Sequence, residues 1–417
     1  MADRLRVAIV ARSVHGLHGF GGLERHVDDL VRHLTRLDVE VTLVTKPART
    51  RPATPLPATL LQVPYVTFPG AGRRGTTVID RSTAYPVFGW RAGRRVAALV
   101  RQGRIDVVHG LGASVLGYAV ARRREADLQA PLVFNPQGLE EFGATDPARA
   151  RLKRLAYGPL QAAVRACARA ADAVVATDSS LRPVVLQHLA VDPARVVTIP
   201  NAVDVERLDT LATRDDGRRL RRTVGIGEDE WLLLSVGRVE HNKGFDVMLR
   251  ALEALGPDVP RWRWVLVGDG PWRRRLARDV AASGLASRIM LRGREDESTL
   301  HAWYEAAEAF VHPTLYEGSS LVTLEAMAHG APVVATRAGG IPDKVRPGEN
   351  GWLVAPGNPG ELAAALGALF ASRDRLATLG ACSRRIVVEQ FAWPAVAAST
   401  RALYERLLCG GPAAAGA

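Results

Sequence analysis

The sequence predicts an α/β protein made of two domains, each a parallel sheet wound with helices on both faces. Short β-branched runs alternate with helical-period segments twice along the 417 residues, the pattern of parallel strands joined by crossover helices. The first strand-to-helix turn is glycine-rich, Gly19-Phe-Gly-Gly22, which gives a Rossmann-like opening. Between two apolar runs lies Pro313-Thr-Leu-Tyr-Glu317-Gly-Ser-Ser-Leu-Val-Thr-Leu-Glu325, a strand, a small-residue turn and a helix start. Two such Rossmann-like halves place a ligand cleft between them at the carboxyl ends of the strands.

In chain order, residues 5–11 read as a strand. Leu23, Val27, Leu30, Val31, Leu34 and Leu37 then mark one face of a helix, and residues 40–45 form the next strand,. The opening lacks the third glycine of the dinucleotide fingerprint. Residues 47–90, rich in Pro, Thr and Gly, read as irregular, a long insertion on the substrate side,. Further strands follow at 105–109, 131–134, 173–177 and 195–199.

Pro200-Asn-Ala-Val-Asp204 and the polar run 209–222 read as a domain boundary,. A second alternation follows, with strands at 231–236, 264–267, 288–291, 309–311, 333–335 and 351–354. The expected domains are 1–203, 204–392, and a terminal segment 393–417. That last segment consists of a helix near 394–408, packing back on the N-terminal domain, and a loose tail.

Composition sets limits. The chain is 47% hydrophobic and 24% charged, as in soluble globular proteins,. Its net charge of +12 rests on arginine, since only four of the 55 basic residues are lysines. Three scattered cysteines without a C-x-x-C pair fit a reducing compartment,. No signal peptide is visible and the longest uncharged apolar stretch is too short to span a bilayer, so a cytoplasmic protein is expected. Basic, partly amphipathic segments at 91–104 and 149–169 suggest peripheral contact with an anionic membrane, against the plainer reading of solvated helix faces,. Nucleic acid is not an expected partner, because aromatics are not interleaved with the basic runs.

The chemistry concentrates in two stretches. In the first, a helix opened by Gly318-Ser319-Ser320 presents backbone N–H groups and a positive dipole end, which suits a phosphate,. Glu325 lies five residues beyond Ser320, about 7.5 Å along a helix at ~1.5 Å per residue. That is roughly the span from a bound diphosphate to the ribose of the same nucleotide. In the second stretch, Gly237-Arg238-Val-Glu-His-Asn-Lys243-Gly244 follows a strand and precedes a helix. Two cations at a helix start are poorly placed unless an anion sits there. His15, His18, His26 and His33 are spaced like metal ligands, but no cysteine lies near and no metal is expected,. His109 reads either as a site residue or as a core histidine.

Together these motifs resemble the family 4 retaining glycosyltransferases of the GT-B fold, two Rossmann-like domains facing each other across a cleft. The resemblance rests on Glu317-x7-Glu325 preceded by Gly237-Arg-Val-x3-Lys243-Gly. Gly21-Gly-Leu-Glu-Arg25, Asp106-Val-Val-His109, Ile199-Pro-Asn-Ala-Val-Asp204, Val267-Gly-Asp-Gly-Pro271, Gly339-Gly-Ile-Pro342 and Asn350-Gly-Trp-Leu-Val354 stand in the family's order. It implies an N-terminal acceptor-binding domain and a C-terminal domain for a nucleoside diphosphate sugar. Arg238 and Lys243 would neutralise the diphosphate beside the backbone of Ser319, Ser320, Leu321 and Val322. Glu325 would hold the ribose, Glu317 the transferred sugar, and Arg294 the base. Gly22 would let the first loop approach the phosphates, and His109 would lie by the sugar ring. Three departures stand out: Asp38-Val-Glu-Val41 where Gly-His is common, Ala202 where the family has glycine, and Glu317-Gly-Ser-Ser320 where Glu-Gly-Phe-Gly is usual.

The implied reaction moves a hexose-type unit to a hydroxyl of a sugar, a lipid-linked glycan or a secondary metabolite, with retention. Double displacement needs a second carboxylate about 5 Å from the first, and none pairs with Glu317; same-face attack is the implied route. No D-x-D occurs, so no metal or other cofactor is expected. The rival readings are a GT-B epimerase, which would need an acid and base beside C2, and an inactive nucleotide-sugar-binding regulator.

Overall fold

A computed structural model describes residues 4–19, 22–48, 55–66, 76–137, 139–142, 156–411 and 413. It divides into two compact units, Met1–Asn201 with Trp393–Ala417, and Ala202–Ala392.

In the first unit, β1 (Arg6–Val10), β2 (Glu40–Thr45), β3 (Thr59–Gln62), β4 (Val107–Leu111), β5 (Leu132–Asn135), β6 (Ala173–Ala176) and β7 (Val196–Thr198) form one sheet in the order β3-β2-β1-β4-β5-β6-β7. Every pairing is parallel. Both faces of such a sheet are covered, which is why the central strands read as continuous apolar runs and why β4 is buried throughout,. The strand order reverses between β1 and β4, and the carboxyl ends of these two strands flank a crevice. The helix Gly22–Arg36 buries Val27, Leu30, Val31 and Leu34, the face its periodicity predicts.

The expectation of an irregular 47–90 is corrected. Residues 59–62 add β3 to the sheet edge, and the helices Thr76–Ser82 and Ala84–Arg101 occupy most of the rest; residues 49–54 and 67–75 lie outside the described residues. Proline masked the longer helix. Pro86 sits in its first turn, where the missing N–H has no intrahelical acceptor to lose,. Phe88, Ala92, Val96 and Ala97 then recur on its buried face.

The terminal helix Trp393–Leu408 belongs to this same unit. Trp393 is fully buried; its Nε1–H donates to Asp29 Oδ2 at 3.1 Å and its ring stacks on His33 at 5.7 Å. Arg401 Nη1 donates to the Leu37 carbonyl at 2.7 Å.

In the second unit, β8 (Trp231–Val236), β9 (Trp262–Val267), β10 (Ile289–Gly293), β11 (Ala309–His312), β12 (Val333–Thr336) and β13 (Gly351–Val354) run in the order β10-β9-β8-β11-β12-β13, again all parallel. Side chains alternate faces with the strand period of two: Leu232, Leu234 and Val236 join one core layer, Trp231 and Leu233 the other. The two units divide between Asn201 and Ala202, within the stretch read as a boundary, and the polar run 209–222 beyond it is folded. It carries parts of the helices Val205–Leu211 and Arg214–Thr223, the second opened by a capping box between Thr213 and Asp216,. Buried Arg221 donates to Glu308 at 2.7 Å and to the Ala306 carbonyl at 2.9 Å.

Candidate active site

The order of the second sheet reverses between β8 and β11, so the loops leaving these two strands lie side by side. The first carries Arg238 and Lys243, the second Glu317, Ser319 and Ser320. Two glycines make their contact close. A Cβ on Gly244, at φ 66°, would lie 2.0 Å from the Pro313 carbonyl oxygen. One on Gly339, at φ 53°, would lie 2.0 Å from the Glu317 carbonyl oxygen. The Glu317 turn is thus gripped between two backbone segments that only glycine permits.

Within that grip, Lys243 Nζ donates to Glu317 Oε2 at 2.5 Å. His312, the last residue of β11 and fully buried, lies 2.9 Å from the same oxygen through Nε2. Burial alone would raise the Glu317 pKa, but the His312 hydrogen bond and the Lys243 charge outweigh it and hold the carboxyl down at about 2,. Burial also lowers the His312 pKa, against the pull of Glu317 and with the help of Lys243 and Lys344. The ring is therefore neutral near pH 7. Because a carboxylate only accepts, Nε2 carries the ring proton.

The helix Leu321–Ala328 begins beside this cluster. Ser320 occupies its N-cap position but makes no capping bond; its Oγ instead accepts from Thr323 Oγ1 at 2.9 Å. The first-turn amides are left to another acceptor, as at an anion site. Leu321 and Val322, the first two helical residues, are half-buried. Ser319 Oγ accepts from Lys344 Nζ at 3.3 Å. Further along, Glu325 Oε2 accepts from the Tyr304 hydroxyl at 3.0 Å, and the buried Tyr304 ring stacks on His329 at 5.6 Å.

Of the residues singled out from sequence, Lys243, Glu317, Ser319 and Ser320 come together, with Glu325 on the same helix. Arg238 lies in the loop after β8, but its guanidinium is turned to Glu240 at 2.8 Å and is 69% exposed. Arg294 is exposed in the loop after β10, on the same carboxyl edge of the sheet. Sequence reasoning passed over His312, Tyr304 and Lys344. A usable signal existed for the last: lysine is scarce in this chain, and two of its four lysines, half-buried Lys243 and buried Lys344, lie here.

In the first unit His109 stands on β4, paired with Ile9 and Val133 in the sheet. It is 3% exposed. Its Nδ1 lies 2.6 Å from the Tyr404 hydroxyl of the terminal helix, and its Nε2 is buried with no partner among the described residues. Burial, with the nearby His26, lowers its pKa to about 3. Gly22 is exposed and starts the first helix; residues 20 and 21 lie outside the described residues. The histidines of this region serve the local structure: His18, in the turn before the helix, bridges the Val14 N–H and the Lys46 carbonyl, while His26 and His33 on the helix lie against Trp393. A cavity of about 400 Å³ opens at the ends of β1, β4 and β5, lined among others by Arg12, Arg81, Tyr85, Gln137 and Glu141. The Arg12 guanidinium lies 4.7 Å over the Tyr85 ring, and Arg81 lies 3.9 Å from Glu141.

Comparison with known proteins agrees with this architecture. Residues 20–207 match the family described as Glycosyltransferase Family 4, and residues 230–372 the family described as Glycosyl transferases group 1. A D-inositol 3-phosphate glycosyltransferase of Thermobispora bispora is 30% identical over 98% of this chain and 96% of its own. D-inositol 3-phosphate glycosyltransferase 2 of Catenulispora acidiphila is 35% identical, but over 57% of this chain and 56% of that relative, so the match spans about half the length of each. Among solved structures, the sucrose-phosphate synthase of Thermosynechococcus elongatus superposes with a TM-score of 0.73 at 24% identity, covering 98% of this chain and 100% of that one. The chain has the GT-B fold and belongs to the family 4, group 1 glycosyltransferases.

Proposed function

We propose that the protein is a retaining, metal-independent hexosyltransferase that uses a nucleoside diphosphate sugar, UDP- or GDP-linked, and transfers the sugar to a hydroxyl. The observation that carries this reading is the uncapped start of the helix Leu321–Ala328 beside the Lys243–Glu317–His312 cluster. Helix amides and an ammonium suit a diphosphate, and Glu325, steadied by Tyr304, suits ribose hydroxyls,. Arg238, exchanging its exposed pairing with Glu240 for the ligand, adds a second cation, and Arg294 serves the base.

Glu317 at a pKa of about 2 is ionised and cannot act as a proton donor at neutral pH. Its place in the reaction is therefore electrostatic, orienting the sugar and Lys243. The bond from the anomeric carbon to the phosphate oxygen breaks, and the bond to the acceptor oxygen forms on the same face. The acceptor proton passes to the departing phosphate. Lys243, Arg238 and the helix amides stabilise the developing charge.

The first unit takes the acceptor, with the Arg12–Tyr85 cavity as its pocket; His109, outside that lining, keeps a buried neutral ring on β4. Arg12 in that lining, where Arg81 already faces Glu141, favours an acceptor carrying an anionic group, in line with the phosphorylated polyol named for the Thermobispora relative. The helix Ala84–Arg101 exposes Val87 and Trp90 beside Arg91 and Arg95, a surface suited to an anionic membrane at the cytoplasmic face. Among the described residues no helix is long and apolar enough to cross a membrane.

The test is turnover of UDP-, GDP-, ADP- and dTDP-hexoses in the presence of EDTA, with the anomer of the first-formed product read by NMR. An α-linked product from an α-linked donor, at a rate indifferent to EDTA, is expected. Inversion, or activity abolished by EDTA and restored by a divalent cation, overturns the reading.

A further inference from the structure

Lys344 follows the Gly339-Gly-Ile-Pro342 turn and is 1% exposed. Its Nζ lies 5.8 Å over the Phe391 ring, and its backbone is held by the fully buried Asn350. That side chain donates from Nδ2 to the Lys344 carbonyl at 3.1 Å and accepts the Arg346 N–H at 2.7 Å. A position so enclosed is filled at less cost by an aliphatic side chain, because burying an ammonium forfeits its hydration. What the amine adds is specific. Nζ donates to the Gly340 carbonyl at 3.1 Å and to Ser319 Oγ at 3.3 Å.

The Ser319 bond has a direction. An ammonium only donates, so Ser319 Oγ is the acceptor and its own proton must point elsewhere. Ser319 is half-buried, and among the described residues its hydroxyl has no recorded acceptor. It lies one residue before the uncapped start of the helix Leu321–Ala328, where the dipole already favours an anion,. A hydroxyl that accepts from a cation is the stronger donor onward. The Gly340 N–H, bonded to the Gly318 carbonyl at 3.3 Å, ties the two turns together so that lysine and serine keep register.

We propose that Lys344 is a positioning residue of the donor site: from beneath the loop it polarises the Ser319 hydroxyl into a hydrogen-bond donor for the diphosphate of the nucleotide sugar. This rests on the donor-site reading above and adds a residue pair to it, one acting on the ligand only through the other.

Calorimetric titration with UDP, GDP and ADP, and ligand-observed NMR with the matching nucleosides, tests it on the full chain. Lys344→Met is expected to weaken binding of the preferred diphosphate roughly tenfold, the scale of a lost charge-assisted bond, and to leave the nucleoside unaffected. Ser319→Ala should lose about as much. The double variant should lose little more than either alone, and Lys344→Arg should recover part of the loss. Binding by Lys344→Met equal to the parent's, equal losses for diphosphate and nucleoside, or losses that simply add overturns the relay. Should Lys344→Met fail to fold, Ser319→Ala decides alone, by showing or lacking the diphosphate-selective loss. A parent that binds none of the three diphosphates overturns the donor site itself, a result distinct from a parent that binds and variants that do not differ.

Discussion

Lys243 Nζ and Glu317 Oε2 lie 2.5 Å apart although 74 residues separate them in the chain. The parallel sheet makes this possible by setting β8 and β11 side by side, so that the loop after each strand delivers one partner. In the proposed donor complex a diphosphate competes with Glu317 for the same ammonium. Lys243→Met should therefore weaken nucleoside diphosphate binding by about 1–3 kcal/mol. Glu317→Gln should bind the free diphosphate as tightly or more tightly, while turnover falls steeply. Calorimetry paired with kinetics checks both. A Glu317→Gln variant that loses diphosphate affinity as Lys243→Met does would show that the pair is a structural strut.

Tyr304 acts on Glu325 as a fixed donor. Its ring cannot easily leave, being buried and stacked on His329, and its hydroxyl proton has the carboxylate as acceptor. Tyr304→Phe should reduce nucleotide affinity by about 1 kcal/mol, near the usual value of one hydrogen bond. In a Glu325→Ala background the same change should cost much less, because the two share one interaction. Equal losses in both backgrounds would mean that Tyr304 merely packs.

Two buried histidines make stability depend on pH in a predictable sense. Burial lowers His109 from its ordinary 6.5 to about 3 and lowers His312 as well. In the folded state both rings stay neutral, whereas the unfolded chain takes up protons below 6.5. The His109 contribution is complete above pH 6.5 and declines as pH falls toward 3, with a slope of up to ~1.4 kcal/mol per pH unit, and His312 adds a loss in the same direction below 6.5,. Glu317, depressed from 4.5 to about 2, adds a further loss in the same direction between those two values. Denaturant midpoints at pH 7, 6, 5 and 4 should fall steadily, and His109→Gln should flatten the curve by about one histidine's share. An unchanged slope in that variant would show that His109 titrates normally.

Much of this architecture was legible before any coordinates. The strands 40–45 and 231–236 fall where alternation puts them, because apolar runs in parallel strands are bounded sharply by turn residues. The Glu317–Glu325 and Gly237–Gly244 stretches were readable because each packs its polar residues into one local segment. What was missed depends on distance or on disguise. Tyr304 and Lys344 reach the site from elements remote in sequence, as does the Tyr404 hydroxyl that holds His109. The helix Ala84–Arg101 was hidden by Pro86 and two glycines, which read as loop until their helical register is known. Arg238 shows what adjacency leaves open: it shares the loop with Lys243, but its exposed guanidinium meets Glu240 two residues away, a pairing that the spacing alone does not give.

Arg12 offers the sharpest test of the acceptor assignment. It leaves β1 at the sheet's reversal point, lines the cavity of the first unit, and stacks on Tyr85. Tyr85 is itself fixed by donating to the Leu111 carbonyl at 3.0 Å. The aromatic face orients the guanidinium without neutralising it, and a planar fork of donors is well matched to phosphate or carboxylate. Arg12→Met should raise the KM for a phosphorylated polyol roughly tenfold and leave the Kd for the nucleotide sugar unchanged. For the neutral polyol, both parent and variant should turn over slowly and alike. Steady-state kinetics with the two acceptors separates the possibilities. Equal effects of the substitution on both acceptors would mean that Arg12 shapes the cavity rather than recognising charge, and a loss of donor affinity would remove the cavity from acceptor binding altogether.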